Sequence, residues 1–269
     1  MQENDRPLVG EVLTQNPPPS GYGGPQASVQ AFKRRHSVAQ ALVAVNVVVY
    51  ILMVLKGVSP FSPSVNDIIH WGAMYGPEFI AGQRWRLVTS AFVHVGIIHL
   101  GFNMWCLWYL AELSENLFGA WTTVAIYLLT AITSSLLGVL WTPSAPIAGA
   151  SGAIFGIAGA VITALRVGKH HVPVEVRRAI SNSALRFALL NLVFGLLPGI
   201  SNAGHLGGMV GGLVLGAGYG ATDSMITQSD QPLRRALVSL GFLIVLAAIL
   251  FWFFPPGHRG VSALSTQNI

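Results

Sequence analysis

The chain has 269 residues, of which 52% are hydrophobic and only 9% are charged, and its mean hydropathy is +0.59. These values are typical of integral membrane proteins and exclude an ordinary soluble core. The net charge of +5 comes from short basic clusters beside apolar segments, which argues against a nucleic-acid-binding face. The single cysteine, Cys106, excludes an intramolecular disulfide and a cysteine-based metal site.

The N-terminal part combines a polar tail with a first apolar segment. Residues 1–35 are rich in proline and glycine and lack apolar periodicity, so they predict a disordered tail. The cluster Lys33-Arg34-Arg35 directly precedes an uncharged run that ends at Leu55. The positive-inside rule therefore predicts a cytoplasmic N-terminus and a first span directed outward.

A longer connection and a second span follow. Residues 56–86 contain three prolines and several aromatic residues, which predicts a loop at the outer interface. The second span is predicted at residues 92–110, with Glu112 and Glu115 marking its inner end. This span carries the polar residues His94, His99 and Asn103.

The remaining apolar segments predict five more spans. No charged residue occurs between Asn116 and Leu165, a stretch long enough for two helices separated by a proline-containing turn. The spans are predicted at residues 121–140, 149–166, 181–197, 203–221 and 236–254. Basic residues at 166–178 and 234–235 fall on the cytoplasmic side in this count, and Arg186 is expected to reach the cytoplasmic interface from the fifth span.

These segments predict an all-α, polytopic membrane helix bundle with seven spans. The predicted domains are a cytoplasmic tail (1–35), a six-span core (36–221), a cytoplasmic loop with the seventh span (222–254) and a short outer tail (255–269). The lipid bilayer is the expected environment, and no nucleic-acid partner is expected. The natural substrate, the oligomeric state and the organism do not follow from the sequence.

Three of the predicted spans place polar residues at a similar depth. With a cytoplasmic N-terminus, the second, fourth and sixth spans all start at the outer face, and their polar residues lie near that end: His94, His99 and Asn103, then Ser151, then His205. A single such residue is usually a contact between helices, and Ser151 among glycines and alanines is compatible with close helix packing alone. Their convergence in an apolar environment favours a functional site.

The small residues indicate which helices meet. Gly208 and Gly212 lie on the helical face that carries His205, and Gly152 and Gly156 follow Ser151. Each of the two helices thus carries a stripe of small residues along one face. Packing of the two stripes against each other would bring the His205 imidazole to the Ser151 hydroxyl. Serine needs a base to act as a nucleophile, and because no acidic residue lies at this depth, a Ser-His dyad remains. Asn103, His99 and the backbone N–H of Ser151 are available as oxyanion donors.

Five motifs resemble those of the rhomboid intramembrane proteases. Gly149-Ala150-Ser151-Gly152 resembles the family's GxSG, and His99-x-x-x-Asn103 resembles its HxxxN. His205-x-x-Gly208-x-x-x-Gly212 is similar to AHxxGxxxG, with Gly204 in place of the usual alanine. Trp85-Arg86 is similar to the WR of the first loop, and Ala111-x-x-x-Glu115-x-x-x-Gly119 to GxxxExxxG with its first glycine replaced. The resemblance covers residues 37–221, and the seventh span corresponds to a six-plus-one arrangement.

The resemblance implies a serine endopeptidase that cleaves transmembrane helices of single-pass proteins near the outer face, in a bacterial cell membrane and without a cofactor or metal. It implies Ser151 as nucleophile, His205 as base, and His99 with Asn103 at the oxyanion. Gly149, Gly152 and His94 are expected near the site. Phe155 stands where a tyrosine that stacks on the catalytic histidine is usual.

Other classes fit the sequence less well. A zinc protease is disfavoured because the chain has no HExxH, and an α/β-hydrolase because its serine motif is GxSxG on a strand-turn-helix. A transporter is disfavoured because the spans show no convincing internal repeat. The main alternative is a catalytically inactive, rhomboid-like membrane scaffold.

Overall fold

The computed structural model describes residues 37–168, 173–196, 199–223 and 231–254. The predicted tails at 1–35 and 255–269 lie outside the described residues, as does most of the predicted loop after residue 222. The described residues form ten α-helices: α1 (Ser37–Leu55), α2 (Val65–His70), α3 (Gly76–Ile80), α4 (Arg86–Thr89), α5 (Ile97–Phe118), α6 (Ala120–Trp141), α7 (Ser151–Val167), α8 (Val174–Phe194), α9 (Asn202–Asp223) and α10 (Gln231–Phe253).

The predicted all-α, polytopic membrane fold is confirmed. Three of the described helices, α1, α6 and α10, are long and apolar enough to cross a membrane by length and composition, and α7 is a shorter apolar helix. The helices α5, α8 and α9 are of similar length, at 21 or 22 residues, but carry more polar, charged or glycine residues. The predicted count of seven spans therefore stays a prediction.

Helix α7 lies at the centre of the bundle, and small residues set its distance to α9. A Cβ atom built on Gly208 would overlap the carbonyl oxygen of Gly152, and one on Gly212 would overlap that of Gly156. The two backbones are thus in direct contact, as the matching stripes of small residues predicted. Since the contact is made by main-chain atoms, the relative position of the first turns of α7 and α9 is tightly fixed.

The second predicted span begins too early, and its helix is longer than predicted at the other end. Helix α5 begins at Ile97 instead of residue 92 and continues to Phe118 instead of ending near residue 110. Gly96 precedes it with φ of 97°, a left-handed conformation that suits glycine, and the Ile97 N–H donates to the carbonyl of Pro60 at 2.9 Å. Val93, which looked like part of the span, is instead buried in the loop before α5.

Glu115 lies near the end of α5 and contacts another helix. Its side chain is buried and accepts hydrogen bonds from the Ser37 hydroxyl at 2.6 Å and from the Val38 N–H at 2.9 Å. These donors are at the first turn of α1, where a carboxylate is stabilised by the free N–H groups and the helix dipole. Glu115 therefore joins α5 to the start of α1.

The connection between α1 and α5 is an ordered set of short helices that supports the segment before α7. Arg86 is buried and donates to the carbonyl of Ala73 at 2.9 Å. The neighbouring Met74 exchanges two backbone hydrogen bonds with Ile147, at 2.9 and 2.8 Å. This pairing holds the chain that leads into Ser151.

Helix α8 extends beyond the fifth predicted span at its N-terminal end. Helix α8 begins at Val174, directly after Pro173, and not at residue 181. The basic residues Arg177 and Arg178 therefore belong to this helix. Arg186 lies past the middle of α8 and is exposed.

Candidate active site

Ser151 and His205 come from the first turns of two helices that touch through their backbones. Ser151 is the first residue of α7, and His205 lies in the first turn of α9. Nε2 of His205 lies 2.9 Å from Oγ of Ser151, within hydrogen-bond distance. The arrangement allows the imidazole to accept the hydroxyl proton.

The imidazole of His205 is held on one side by an aromatic ring. Phe155 stacks on it with ring centroids 4.4 Å apart and an angle of 11° between the planes. His205 is buried, and its Nδ1 has no hydrogen-bond partner among the described residues. No carboxylate within that part of the chain orients the imidazole, so packing against Phe155 and the contact with Ser151 define its position.

The start of α7 supplies hydrogen-bond donors next to the Ser151 hydroxyl. The first N–H groups of a helix have no partner within the helix, and no backbone partner of the Ser151 N–H occurs among the described residues. Gly149 precedes them with φ of 121° and donates its N–H to the carbonyl of Ser90 at 2.9 Å. These N–H groups lie beside the position where charge would develop on a carbonyl oxygen attacked by Ser151.

His99 and Asn103 approach this turn from α5. A Cβ atom on Gly149 would lie 3.0 Å from Nε2 of His99 and 3.7 Å from Nδ2 of Asn103. Asn103 is buried and donates one of its two amide hydrogens to the carbonyl of His99 at 2.9 Å. Nδ1 of His99 accepts from the Val95 N–H at 3.4 Å, which leaves Nε2 to carry the ring proton.

The ring of His94 lies beside that of His99, with centroids 5.4 Å apart, but outside the cavity described below. His94 is in the loop before α5 and is fully buried. Its Nε2 accepts from the Ala150 N–H at 3.4 Å, and its Nδ1 donates to the carbonyl of Phe92 at 3.3 Å in the matching tautomer. His94 thus contacts the backbone next to Ser151 and not the Ser151 side chain.

A cavity of about 130 Å³ surrounds the Ser151–His205 pair. On one side it is bounded by α5, with His99, Asn103 and Cys106, and by the aromatic and amide side chains of α8. On the other side it reaches α6 at Ser134 and the turn before α9 at Ser201. The cavity is apolar over most of its wall, with a few polar groups near Ser151, as is typical of small-molecule and peptide sites.

Ser134 was not singled out by the sequence. It is buried on α6, lines the cavity and fits against Gly152, where a Cβ atom would overlap its hydroxyl. The same hydroxyl lies 3.3 Å from the position of a Cβ atom on Gly204. The pair Ser134-Ser135 in an uncharged span was an available signal, but only the meeting of three helices shows which serine faces the cavity.

The described residues contain no group of three or more histidine, cysteine, aspartate or glutamate side chains that could hold a metal ion.

Comparison with known proteins gives a consistent set of relatives. A family model described as "Rhomboid domain" matches residues 81–222. "Rhomboid protease GluP" of Bacillus subtilis (strain 168) is 31% identical over 229 residues, which cover 84% of this chain and 42% of that protein. "RHOMBOID-like protein 7" of Arabidopsis thaliana is 34% identical, covering 57% of this chain and 49% of that protein. The chain thus spans about half the length of these two relatives.

"Rhomboid-like protease 1" of Toxoplasma gondii matches over a larger share of its own length. It is 29% identical over 222 residues, which cover 80% of this chain and 74% of that protein.

Proposed function

The chain belongs to the rhomboid family, and from that premise we propose that it is an intramembrane serine endopeptidase. Its substrates are single-pass membrane proteins, which it cleaves within or next to their transmembrane helices. The observation that carries the proposal is the 2.9 Å contact between His205 Nε2 and Ser151 Oγ, made across two helices by residues 54 positions apart. A membrane scaffold has no need of such a contact.

The first half of the reaction forms an acyl-enzyme. His205 Nε2 takes the proton of Ser151, and Oγ attacks the carbonyl carbon of the scissile peptide bond. The negative charge on the carbonyl oxygen is stabilised by the Ser151 N–H, the Asn103 amide and Nε2–H of His99. The intermediate collapses when the C–N bond breaks and the imidazolium gives its proton to the leaving amine.

The second half releases the remaining product. Water attacks the acyl carbon while His205 again takes the proton, and Ser151 Oγ leaves with the proton returned by the imidazolium. The reaction consumes one water for each peptide bond and needs no cofactor. With the N-terminus cytoplasmic, both residues lie near the outer leaflet, in what we propose to be a bacterial cell membrane.

The test is cleavage of a single-span reporter by the purified chain in proteoliposomes. Ser151→Ala and His205→Ala are each expected to lower kcat/KM by about 10³-fold or more, and the double variant by no more than the worse single variant, because residues that act as one unit are non-additive. Labelling of Ser151 by a fluorophosphonate measures its nucleophilicity independently of the substrate. If the wild-type chain neither cleaves nor becomes labelled while its thermal unfolding is cooperative, the chain is an inactive rhomboid-like scaffold.

A further inference from the structure

The exposed face of α8 changes abruptly from polar to apolar along its length. In the first part of the helix the exposed side chains include Arg178, Asn182 and Arg186. From Leu189 onward they are apolar, and Leu190, Val193 and Phe194 are each at least half exposed. In a membrane protein such a change marks the boundary between headgroups and hydrocarbon, so Arg186 is the last charge before the lipid tails.

No ion pair to this part of α8 occurs within the described ranges of the chain. Among the described residues, Arg178, Asn182 and Arg186 make no side-chain hydrogen bond and no ion pair. The arginines nearby are otherwise engaged, since Arg166 donates to the Ser181 hydroxyl at 2.9 Å and Arg177 to the carbonyl of Gly168 at 3.0 Å. The one acidic residue of α8, Glu175, lies three positions before Arg178 and offsets part of its charge. The patch keeps a net positive charge, which is centred on Arg186.

The geometry of an α-helix brings these three side chains together. Residues four positions apart lie on the same face, so Asn182 is between Arg178 and Arg186. Side chains of a helix lean toward its N-terminus, and Arg186 therefore extends toward Asn182 and away from the hydrocarbon. The two guanidinium groups and one amide supply several N–H donors around a position at headgroup depth.

We propose that Arg178, Asn182 and Arg186 form a binding site for the phosphate of an anionic phospholipid. A phosphodiester accepts charge-assisted hydrogen bonds from guanidinium groups, and arginine suits this geometry better than lysine. The acyl chains of the lipid lie along the apolar exposed face formed by Leu190, Val193 and Phe194. The positive net charge of the patch selects an anionic over a zwitterionic headgroup.

The test uses the full chain purified in a neutral detergent, with phosphatidylglycerol or phosphatidylcholine added at equal concentrations. Native mass spectrometry counts the lipids retained, and thermal unfolding measures the stabilisation they give. The wild-type chain is expected to retain phosphatidylglycerol in preference to phosphatidylcholine and to gain thermal stability from it. Arg186→Gln is expected to weaken phosphatidylglycerol binding by about tenfold, because a charge-assisted hydrogen bond is lost, and Arg186→Lys by less.

The matched control is Arg234→Gln, which removes one positive charge near the start of α10. It is expected to retain phosphatidylglycerol as the wild-type chain does. The proposal is overturned if Arg186→Gln retains as much phosphatidylglycerol as the wild-type chain, or if Arg186→Gln and Arg234→Gln lose phosphatidylglycerol binding equally. It is also overturned if the wild-type chain shows no preference for phosphatidylglycerol. Because both measurements are of binding, their outcome does not depend on whether the chain is a protease.

Discussion

At the scale of single residues, the hydrogen bonds within α5 decide which atoms face the cavity. Asn103 uses one amide hydrogen for the carbonyl of His99 and keeps the other for the cavity. His99 accepts from the Val95 N–H with Nδ1 and so presents Nε2–H toward Gly149. Each side chain is thus held by one bond and offers one donor, which is the preorganisation that oxyanion stabilisation requires.

Replacing Asn103 should affect catalysis more than binding. Asn103→Ala is expected to lower kcat by about 10²- to 10³-fold with little change in KM, because one oxyanion donor is lost. The control is Asn116→Ala, which removes a similar bond to the carbonyl four residues earlier on the same helix, outside the cavity. Steady-state kinetics on the reporter measures both variants. An unchanged kcat for Asn103→Ala, or an equal loss for Asn116→Ala, would remove Asn103 from the oxyanion site.

His94 is expected to act through the backbone. His94→Ala removes the acceptor of the Ala150 N–H and should lower kcat by about tenfold, the equivalent of one hydrogen bond. His94→Gln should recover part of the loss because its amide oxygen can accept the same bond. The rate of fluorophosphonate labelling of Ser151 should fall in parallel with kcat while KM stays constant. A wild-type labelling rate in His94→Ala would contradict this positioning role.

At the scale of helices, the contact between α7 and α9 has little tolerance for added volume. Gly212→Ala places a methyl group against the carbonyl oxygen of Gly156 and is expected to destabilise the protein by about 1–3 kcal/mol. Gly241→Ala is the matched control, because no atom lies within 4 Å of the added methyl group in α10. It should be neutral or stabilise by up to about 1 kcal/mol through helix propensity. Thermal unfolding in detergent compares the two, and equal melting temperatures would contradict the proposed tight packing.

The sequence predicted which helices would meet but not where each helix would begin. The stripes that follow Ser151 and His205 were sufficient to predict their contact, because spacing along a helix fixes which residues share a face. The start of α5 was set too early, since an apolar residue such as Val93 looks the same whether it is buried in a loop or in a span. The partner of Glu115 lies 78 residues away at Ser37, a contact that depends on the tertiary fold.

The local surroundings of the histidines show the same limit. Motif spacing placed His99 and Asn103 on one face of one helix, and the structure brings both to Gly149. The contact of His94 with Ala150 was not predictable, because it depends on the path of two irregular segments. Ser134 was missed for a similar reason, since its orientation depends on how α6 meets α7 and α9.

At the scale of the whole molecule, the proposed orientation of the bundle fixes where a substrate is cut. Ser151 and His205 both lie in first turns, which face the outer leaflet if the N-terminus is cytoplasmic. The scissile bond is therefore expected near the outer end of the substrate's transmembrane helix. A helical peptide bond is shielded by its own hydrogen bonds, so the substrate must unwind locally, and Gly or Pro near the cut should favour cleavage.

Mapping the product termini of a single-span reporter by mass spectrometry tests this expectation. Replacing the helix-weakening residues near the cut with Leu should slow cleavage of the reporter. The same replacement at the cytoplasmic end of the reporter helix is the control, and no effect on the rate is expected there. Cleavage at the cytoplasmic end, or a rate indifferent to both replacements, would contradict the proposed topology and access route.

The buried Nδ1 of His205 has a consequence for the speed of the proposed enzyme. Because Nε2 of His205 accepts from Ser151, Nδ1 carries the ring proton before and after the transfer, and it has no acceptor among the described residues. The missing hydrogen bond would be charge-assisted only once the imidazole is protonated, so its absence raises the barrier, by about tenfold in rate for each 1.4 kcal/mol of the difference. With a slow chemical step, the proposed enzyme would select substrates by how long they stay in the cavity. A membrane protein that diffuses past the site would escape, and one whose unwound segment stays in the cavity would be cleaved.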